Sequence, residues 1–406
     1  MKITAIETVR VEEHANLLWL LVHTDEGLTG LGETFFLART VEAYVHEHIA
    51  PRVIGEDPTD IVRLAARVAN YIGYRSSGVE MRGNSALDIA LWDLLGQASR
   101  QPLARLLGGF SRDDIETYNT CAGSGYMKNE RGQSTANYEL SDPSSSSAPR
   151  EYDDLNAFLH RADELAESLL EDGITAMKIW PFDIAAEKTG GRFIGKDDLK
   201  RALEPFEKIR RAVGDRMDTM VELHSMWQLL PAIEIARALE PYAVRWHEDP
   251  IRMDSLADLK RFADATAVPL CASETLAGRA AFRDLLESGA AGILNLDLSW
   301  CGGITEARAI AAMAEAWHLP IAPHDCTGPV VLAASTHLSL HAPNALIQES
   351  VRAFHRTWYE DLVTALPPIV NGRITVPPGP GLGLALHPDI ERRFTVTRRR
   401  SDRAFS

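Results

Sequence analysis

The chain has 406 residues, a formal net charge of −15 and a pI of about 5.4. That acidic balance argues against a nucleic-acid or anionic-membrane partner, and no apolar run approaches the roughly eighteen residues of a membrane span. Met1-Lys-Ile-Thr-Ala-Ile-Glu7 puts an acid where the apolar part of a signal peptide would begin, and Cys121, Cys271, Cys301 and Cys326 form no C-x-x-C pair, so reduced thiols and a cytoplasmic location are expected.

Residues 1–113 read as an α+β unit. Residues 2–11 and 17–23 alternate or run apolar, as strands do. Asp25-Glu-Gly27 is the turn of a hairpin whose second arm is 28–33. Helical spacing follows in 41–51, 60–71 and 85–99. In the last of these, Ser85-Ala-Leu-Asp88 resembles a capping box, and Leu87, Ile89, Ala90, Leu91, Leu94 and Leu95 form an apolar side. Between Tyr71 and Gly83 the glycines and mixed polarity predict a loop, from which Tyr74, Arg75 and Arg82 could reach a ligand anion.

From Asp114 the pattern changes to strand then helix, repeated. Short apolar runs occur at 115–121, 176–180, 218–223, 244–247, 269–273, 292–297, 320–323 and 345–348, with helical spacing between them. This is the period of a parallel (β/α) barrel, expected over 114–350. One connection breaks the rhythm. Residues 123–154 are polar and carry Ser144-Ser-Ser-Ser147 between Pro143 and Pro149. That is too long for an ordinary loop, and it leaves a strand's C-terminal end, so a lid over the mouth is expected. Residues 351–406 are expected to return to the first unit. Gly379-x-Gly381-x-Gly383 is no dinucleotide fingerprint, because no βαβ unit follows it.

Three of the runs end in a carboxylate at equal intervals: Glu222, Glu248 and Glu274, with 248 − 222 = 26 and 274 − 248 = 26. A single Glu at such a place usually caps a helix or pairs on the surface. Three in phase converge on one mouth of a barrel, where they repel unless a cation sits between them. A hard, oxygen-seeking ion, Mg²⁺ first, is the natural candidate. The other strand ends are polar too: Lys178, His224, Asp249, Asp297, His324 with Asp325, and Glu349. Asp297 and His324 stand on neighbouring strands, and a carboxylate beside an imidazole makes it a better base.

Several motifs in this order resemble the enolase superfamily, mandelate racemase subgroup. Ser85-Ala-Leu-Asp-Ile-Ala-Leu-Trp-Asp-Leu-Leu-Gly96, with Pro102-Leu103 and Leu106-Leu-Gly-Gly109, is similar to its first-domain signature. His247-Glu-Asp-Pro250 is similar to its fourth-strand metal motif. Asp297-Leu-Ser-Trp-Cys-Gly-Gly303 is similar to its sixth-strand acid, and His324 falls where its dyad histidine does. The resemblance implies an α+β capping domain on a modified (β/α)7β barrel, Mg²⁺ on Glu222, Glu248 and Glu274, and a substrate carboxylate whose α-proton is removed. It also implies a homo-oligomer, dimer to octamer, and a Glu349 that donates to the intermediate.

Two departures narrow the chemistry. Many subgroup members carry Lys-x-Lys on the second strand, where this chain has Lys178-Ile-Trp180. An indole takes no proton, so a two-base racemase is disfavoured. Trp300 stands where cycloisomerases and enolase need a lysine. Both features resemble sugar-acid dehydratases such as rhamnonate dehydratase. The expectation is therefore Mg²⁺-dependent loss of water from an aldonate or aldarate. His324 and Asp297 form the dyad, Lys178 neutralises charge, His224 is a second acid/base candidate, and Tyr74, Arg75, Trp180 and Trp300 lie near substrate. A cycloisomerase, epimerase or racemase, or a non-catalytic sugar-acid binder, remains the alternative.

Overall fold

The computed structural model describes residues 1–69, 78–126 and 153–403. The first unit is an antiparallel meander, β1 (Ile3–Val11), β2 (Leu17–Thr24) and β3 (Thr29–Phe35). The helix Val79–Ser99 lies on it, and the contact is close because β3 carries glycine where the helix passes. A Cβ at Gly32 would stand 1.9 Å from the Ala86 carbonyl oxygen, and one at Gly30 would stand 2.2 Å from that of Ala90.

That helix corrects the sequence reading. It starts at Val79, not Ser85, so Arg82 is helical rather than in a loop, and Ser85 is no cap. The Ser85 hydroxyl donates back to the Met81 carbonyl, 2.8 Å away. The glycine that disguised this turn, Gly83, is needed because Tyr44 lies against it; an added Cβ would be 2.7 Å from the ring. Tyr74, Arg75 and most of the 124–154 insertion lie outside the described residues.

The second unit is the barrel. Its parallel strands are β4 (Ile115–Thr120), β5 (Ala176–Ile179), β6 (Asp218–Glu222), β7 (His247–Glu248), β8 (Leu270–Ala272) and β9 (Ile293–Leu294), each paired with the next. Ile321 bridges Leu294 to Ala345 and holds the seventh position. β10 (Gln348–Ser350) then pairs with β4 and closes the ring. The eighth strand therefore begins at Gln348 rather than Ala345, which puts Glu349 inside it. Between β4 and β5 lie two helices, Asp154–His160 and Ala162–Glu171. After the barrel come a short hairpin, β11 (Ile369–Val370) and β12 (Arg373–Ile374), and then β13 (Val396–Ser401), which pairs with β1. The four cysteines are buried and unpaired. Among the described residues no helix is long and apolar enough to cross a membrane.

Each of the eight strand positions gives one residue to a buried cluster inside the barrel: Tyr118, Ala176, Met220, Trp246, Cys271, Ile293, Ala322 and Ile347. Side chains on a strand return to the same face every second residue. Two residues further on, the inward positions are therefore Thr120, Lys178, Glu222, Glu248, Ser273, Asn295, His324 and Glu349. One step along the strands changes the barrel interior from an apolar plug to a polar layer, and that layer is the floor of the mouth.

Candidate active site at the barrel mouth

Glu222, Glu248 and Glu274 present carboxylate oxygens all within 4.8 Å of one another. Glu222 Oε1 accepts from the backbone N–H groups of Leu223 (2.9 Å) and His224 (2.6 Å), and its buried Oε2 has no hydrogen-bond partner. Glu248 accepts from the Trp246 indole at 2.8 Å and from Asn295 Nδ2 at 2.6 Å. An all-oxygen set with a spare, buried, anionic lone pair suits a hard cation. The backbone after these strands is strained to fit: His224, Ser225 and Asp249 sit at φ of 47°, 56° and 37° without being glycine.

Lys178 is fully enclosed, with Nζ 2.5 Å from Glu248, 3.0 Å from Glu349 and 3.7 Å from Glu222. Burial opposes its charge, but Glu248, Glu349 and Glu222 outweigh burial and hold the ammonium well above its ordinary pKa. Glu349 also accepts from the Thr120 hydroxyl and, at 2.7 Å, from the Asp325 N–H. Burial alone would push it up, yet Lys178 and His324 bring it down to about 2. Its ion-pair partner is thus Lys178. Arg352 is engaged elsewhere, with Asp154 and Asp172.

Two imidazole–carboxylate pairs stand at the rim. His324 Nδ1 is 2.8 Å from Asp297 Oδ2, and Asp297 Oδ1 accepts from the N–H and hydroxyl of Ser299, both at 2.6 Å. This puts a proton on Nδ1 and turns Nε2 inward, 3.0 Å from Glu274, a contact that also needs an N–H at Nε2 until Glu274 turns to a cation. The second pair is His224 with Asp183, Nδ1 to Oδ2 at 2.7 Å. Burial lowers the His224 pKa, but Asp183 and Glu222 more than compensate and raise it to about 10. His224 follows the third barrel position and His324 the seventh, so four of eight positions separate them around the mouth.

The walls are aromatic. Trp180 packs on Phe158, Tyr126 and the His224 ring, with centroids 5.2, 5.6 and 5.9 Å away. Trp300 covers His324 at 5.4 Å and is itself covered by Phe36 and by the Arg82 guanidinium, 4.5 Å above it. The buried Nε1 of Trp180 and of Trp300 has no partner.

Of the residues read from the sequence, Glu222, Glu248, Glu274, Lys178, His224, Asp297, His324, Glu349, Trp180 and Trp300 all meet here. Sequence reasoning missed Asp183, Asn295 and Thr120. Asn295 and Thr120 could have been found by counting two residues beyond each interior apolar position. Asp183 opens the helix Asp183–Thr189 that follows β5, off any strand, and carried no such signal.

The chain matches the mandelate racemase / muconate lactonizing enzyme N-terminal domain over residues 3–108 and an enolase C-terminal domain-like family over 161–390. D-galactonate dehydratases from Xanthomonas oryzae and Ralstonia nicotianae are 32% and 31% identical to it. The alignments cover 97% and 99% of this chain and 94% and 95% of those proteins. An enolase of the mandelate racemase subgroup from Agrobacterium tumefaciens, solved with sodium and phosphate, is 65% identical, with a TM-score of 0.88 over 99% of both chains. An enolase protein from Sargasso Sea environmental sequencing is 42% identical, with a TM-score of 0.87 over 100% of both. The chain belongs to the enolase superfamily, mandelate racemase subgroup.

Proposed function

We propose that this member of the superfamily is a Mg²⁺-dependent sugar-acid dehydratase, converting an aldonate or aldarate to its 2-keto-3-deoxy acid. The observation that carries the reading is the presence of two dyads, His324–Asp297 and His224–Asp183, after the seventh and third barrel positions beside the three carboxylates. Dehydration next to a carboxylate needs one group to take the α-proton and one to give a proton to the departing β-hydroxyl.

Mg²⁺ held by Glu222, Glu248 and Glu274 would supply positive charge against the substrate carboxylate as that carboxylate gains electron density. His324 Nε2 takes the α-proton, and Asp297 steadies the imidazolium that results. His224, kept protonated by Asp183, gives its proton to the β-oxygen, which leaves as water. The enol that remains picks up a proton at C3 and becomes the ketone. Lys178 is held by three carboxylates and has no latitude to shuttle protons; it limits their mutual repulsion. Glu349 is an acceptor in this arrangement. A substrate carboxylate beside it would favour its protonated form, the state in which it donates. The similarity to D-galactonate dehydratases supports the same reaction class.

The two dyads also favour a second reading, epimerisation, in which His224 returns a proton to the opposite face of the α-carbon. Product analysis separates the two, since only water loss gives a keto acid that reacts with semicarbazide. The mechanism itself is tested by a pair of variants. His324→Asn should abolish α-proton exchange in D₂O. His224→Asn should keep that exchange while elimination falls by roughly 10²-fold or more. Normal exchange in the His324 variant would sink the assignment.

A further inference from the structure

Beside the site lies a narrow cavity of about 10 Å³, the room of one water-sized group. It opens between the two units, with Leu17 and Phe35 from the meander, Thr327 and Tyr126 from the barrel, and Phe354 from the segment after β10. Two of its donors are buried and unpartnered, the Thr327 hydroxyl and the Trp358 indole N–H. Burying such groups without a hydrogen bond is costly, so a stable fold that carries two around one small space has a use for them. Trp358 is braced in place. Its ring stacks on His14 at 4.2 Å and meets Phe354 at 4.9 Å and Tyr359 at 4.6 Å.

The cavity adjoins the reacting groups on two sides. Thr327 lies three residues past His324 in the same strand-end turn. Tyr126, on the cavity wall, packs on Trp180 at 5.6 Å. An extended acid whose carboxylate lies at Glu222, Glu248 and Glu274 needs a place for its far end, and these two neighbours link the cavity to His324 and Trp180.

Resting on the dehydratase reading, we infer that the Thr327–Trp358 cavity takes the terminal hydroxymethyl group of the substrate and so selects aldonates over aldarates. The indole only donates, and the threonine hydroxyl both donates and accepts, so a hydroxyl group answers both. A carboxylate answers them badly. It would set a full charge against Leu17, Phe35 and Phe354; the described lining has no Lys or Arg, and its one imidazole, His14, lies stacked on the Trp358 ring.

The test is binding to His324→Asn protein with Mg²⁺ present, read by calorimetry. The probes are the best-bound six-carbon aldonate of a stereoisomer panel, its 6-deoxy analogue and the matching aldarate. The aldonate should bind roughly 5- to 10-fold more tightly than the 6-deoxy acid, with the aldarate weakest. Trp358→Phe keeps the ring packing and removes the donor; it should bring the aldonate and 6-deoxy acid within about twofold of each other. Thr327→Val provides an independent second deletion with the same expected result. Equal binding of the two acids by the parent, tighter binding of the aldarate, or a variant that weakens both acids equally overturns the inference. A panel in which nothing binds overturns it together with the dehydratase reading. Absence of α-proton exchange by wild-type protein counts against that reading alone, because the binding ratios still decide what the cavity holds.

Discussion

The mouth of the barrel and the seam between the two units both bury carboxylates, and they treat them in opposite ways. At the seam, Glu33 on β3 accepts from the Trp19 indole at 2.6 Å and from the N–H groups of Val330 and Val331 at 3.1 and 2.9 Å. Those two amides open the helix Pro329–His341. Asp88 does the same for the helix Gly303–Ala316, accepting from the Thr305 N–H at 2.9 Å and the Thr305 hydroxyl at 2.5 Å. Each acid caps, from the other unit, a barrel helix that has no side-chain cap of its own, and each sits at the positive end of a helix dipole. Among the described residues neither acid forms an ion pair; backbone and neutral donors satisfy them. At the mouth the acids lean on a buried ammonium and two imidazoles, and several oxygens are left over, Glu222 Oε2, Asp183 Oδ1 and Asp325 Oδ1 among them. Saturated carboxylates hold the units together. Carboxylates with oxygen to spare are held ready for something that arrives.

The contrast is broken most sharply at Glu222. Glu222→Gln should cost roughly 10⁴-fold or more in turnover while the metal-free protein keeps its melting temperature, because one of several like charges is removed. Stabilisation by added Mg²⁺ should disappear from the melting curve with it. A variant that unfolds would move Glu222 to the structural side of the comparison.

The seam makes a prediction in pH. Burial pushes Glu33 up to about 8 and Asp88 up to about 7, above the ordinary carboxylate range. A folded-state pKa raised above the unfolded one gives stability that is whole below the unfolded value, near 4, and is lost as pH rises through the folded value. Denaturant unfolding should therefore show stability falling between about pH 4 and pH 8, and Glu33→Gln should remove a few kcal/mol of that fall. A variant whose decline is as steep as that of the parent would show that Glu33 stays ionised.

Asp183→Asn should be milder. It leaves the His224 ring in place but withdraws the charge that raises its pKa to about 10. Turnover should drop roughly 10- to 100-fold, and its loss on the alkaline side should begin at lower pH. An unshifted pH–rate profile would remove Asp183 from the mechanism. The smallest effect is expected at Thr305→Val, which deletes one donor to Asp88 and the acceptor of the Trp92 indole. Unfolding should lose about 1–2 kcal/mol with kinetics unchanged; altered kinetics would tie seam and mouth together.

The mouth was more legible in the sequence than the seam, for a physical reason. Barrel strands are buried on both faces, so they read as apolar runs, and the first charge after each run marks the mouth. That located Glu222, Glu248, Glu274, Asp297 and His324. The eighth strand was misplaced because the apolar run at 345–347 precedes the pairing with β4, which starts at Gln348. Seam residues offer no such contrast. Glu33 ends a strand like any hairpin acid, and Asp88 sits in an apolar helix face where its partners, some 217 positions away, are invisible to local pattern. The start of its helix was hidden by Gly83, whose presence answers to the packing of Tyr44 rather than to a loop.

The pairing of β1 with β13 has a consequence for manufacture. Glu7 on β1 is bonded to Arg398 on β13, 391 positions later. A ribosome releases β1, β2 and β3 first, and they fold against their helices while the whole barrel is still to be made. Throughout that interval the outer edge of β1 carries open hydrogen-bonding groups, the kind of edge that recruits other chains. The strand that finally covers it, Val396-Thr-Arg-Arg-Arg-Ser401, is rich in arginine and settles onto Glu7. Glu7 is thus the acid on that edge which two arginines of β13 meet when the strands pair.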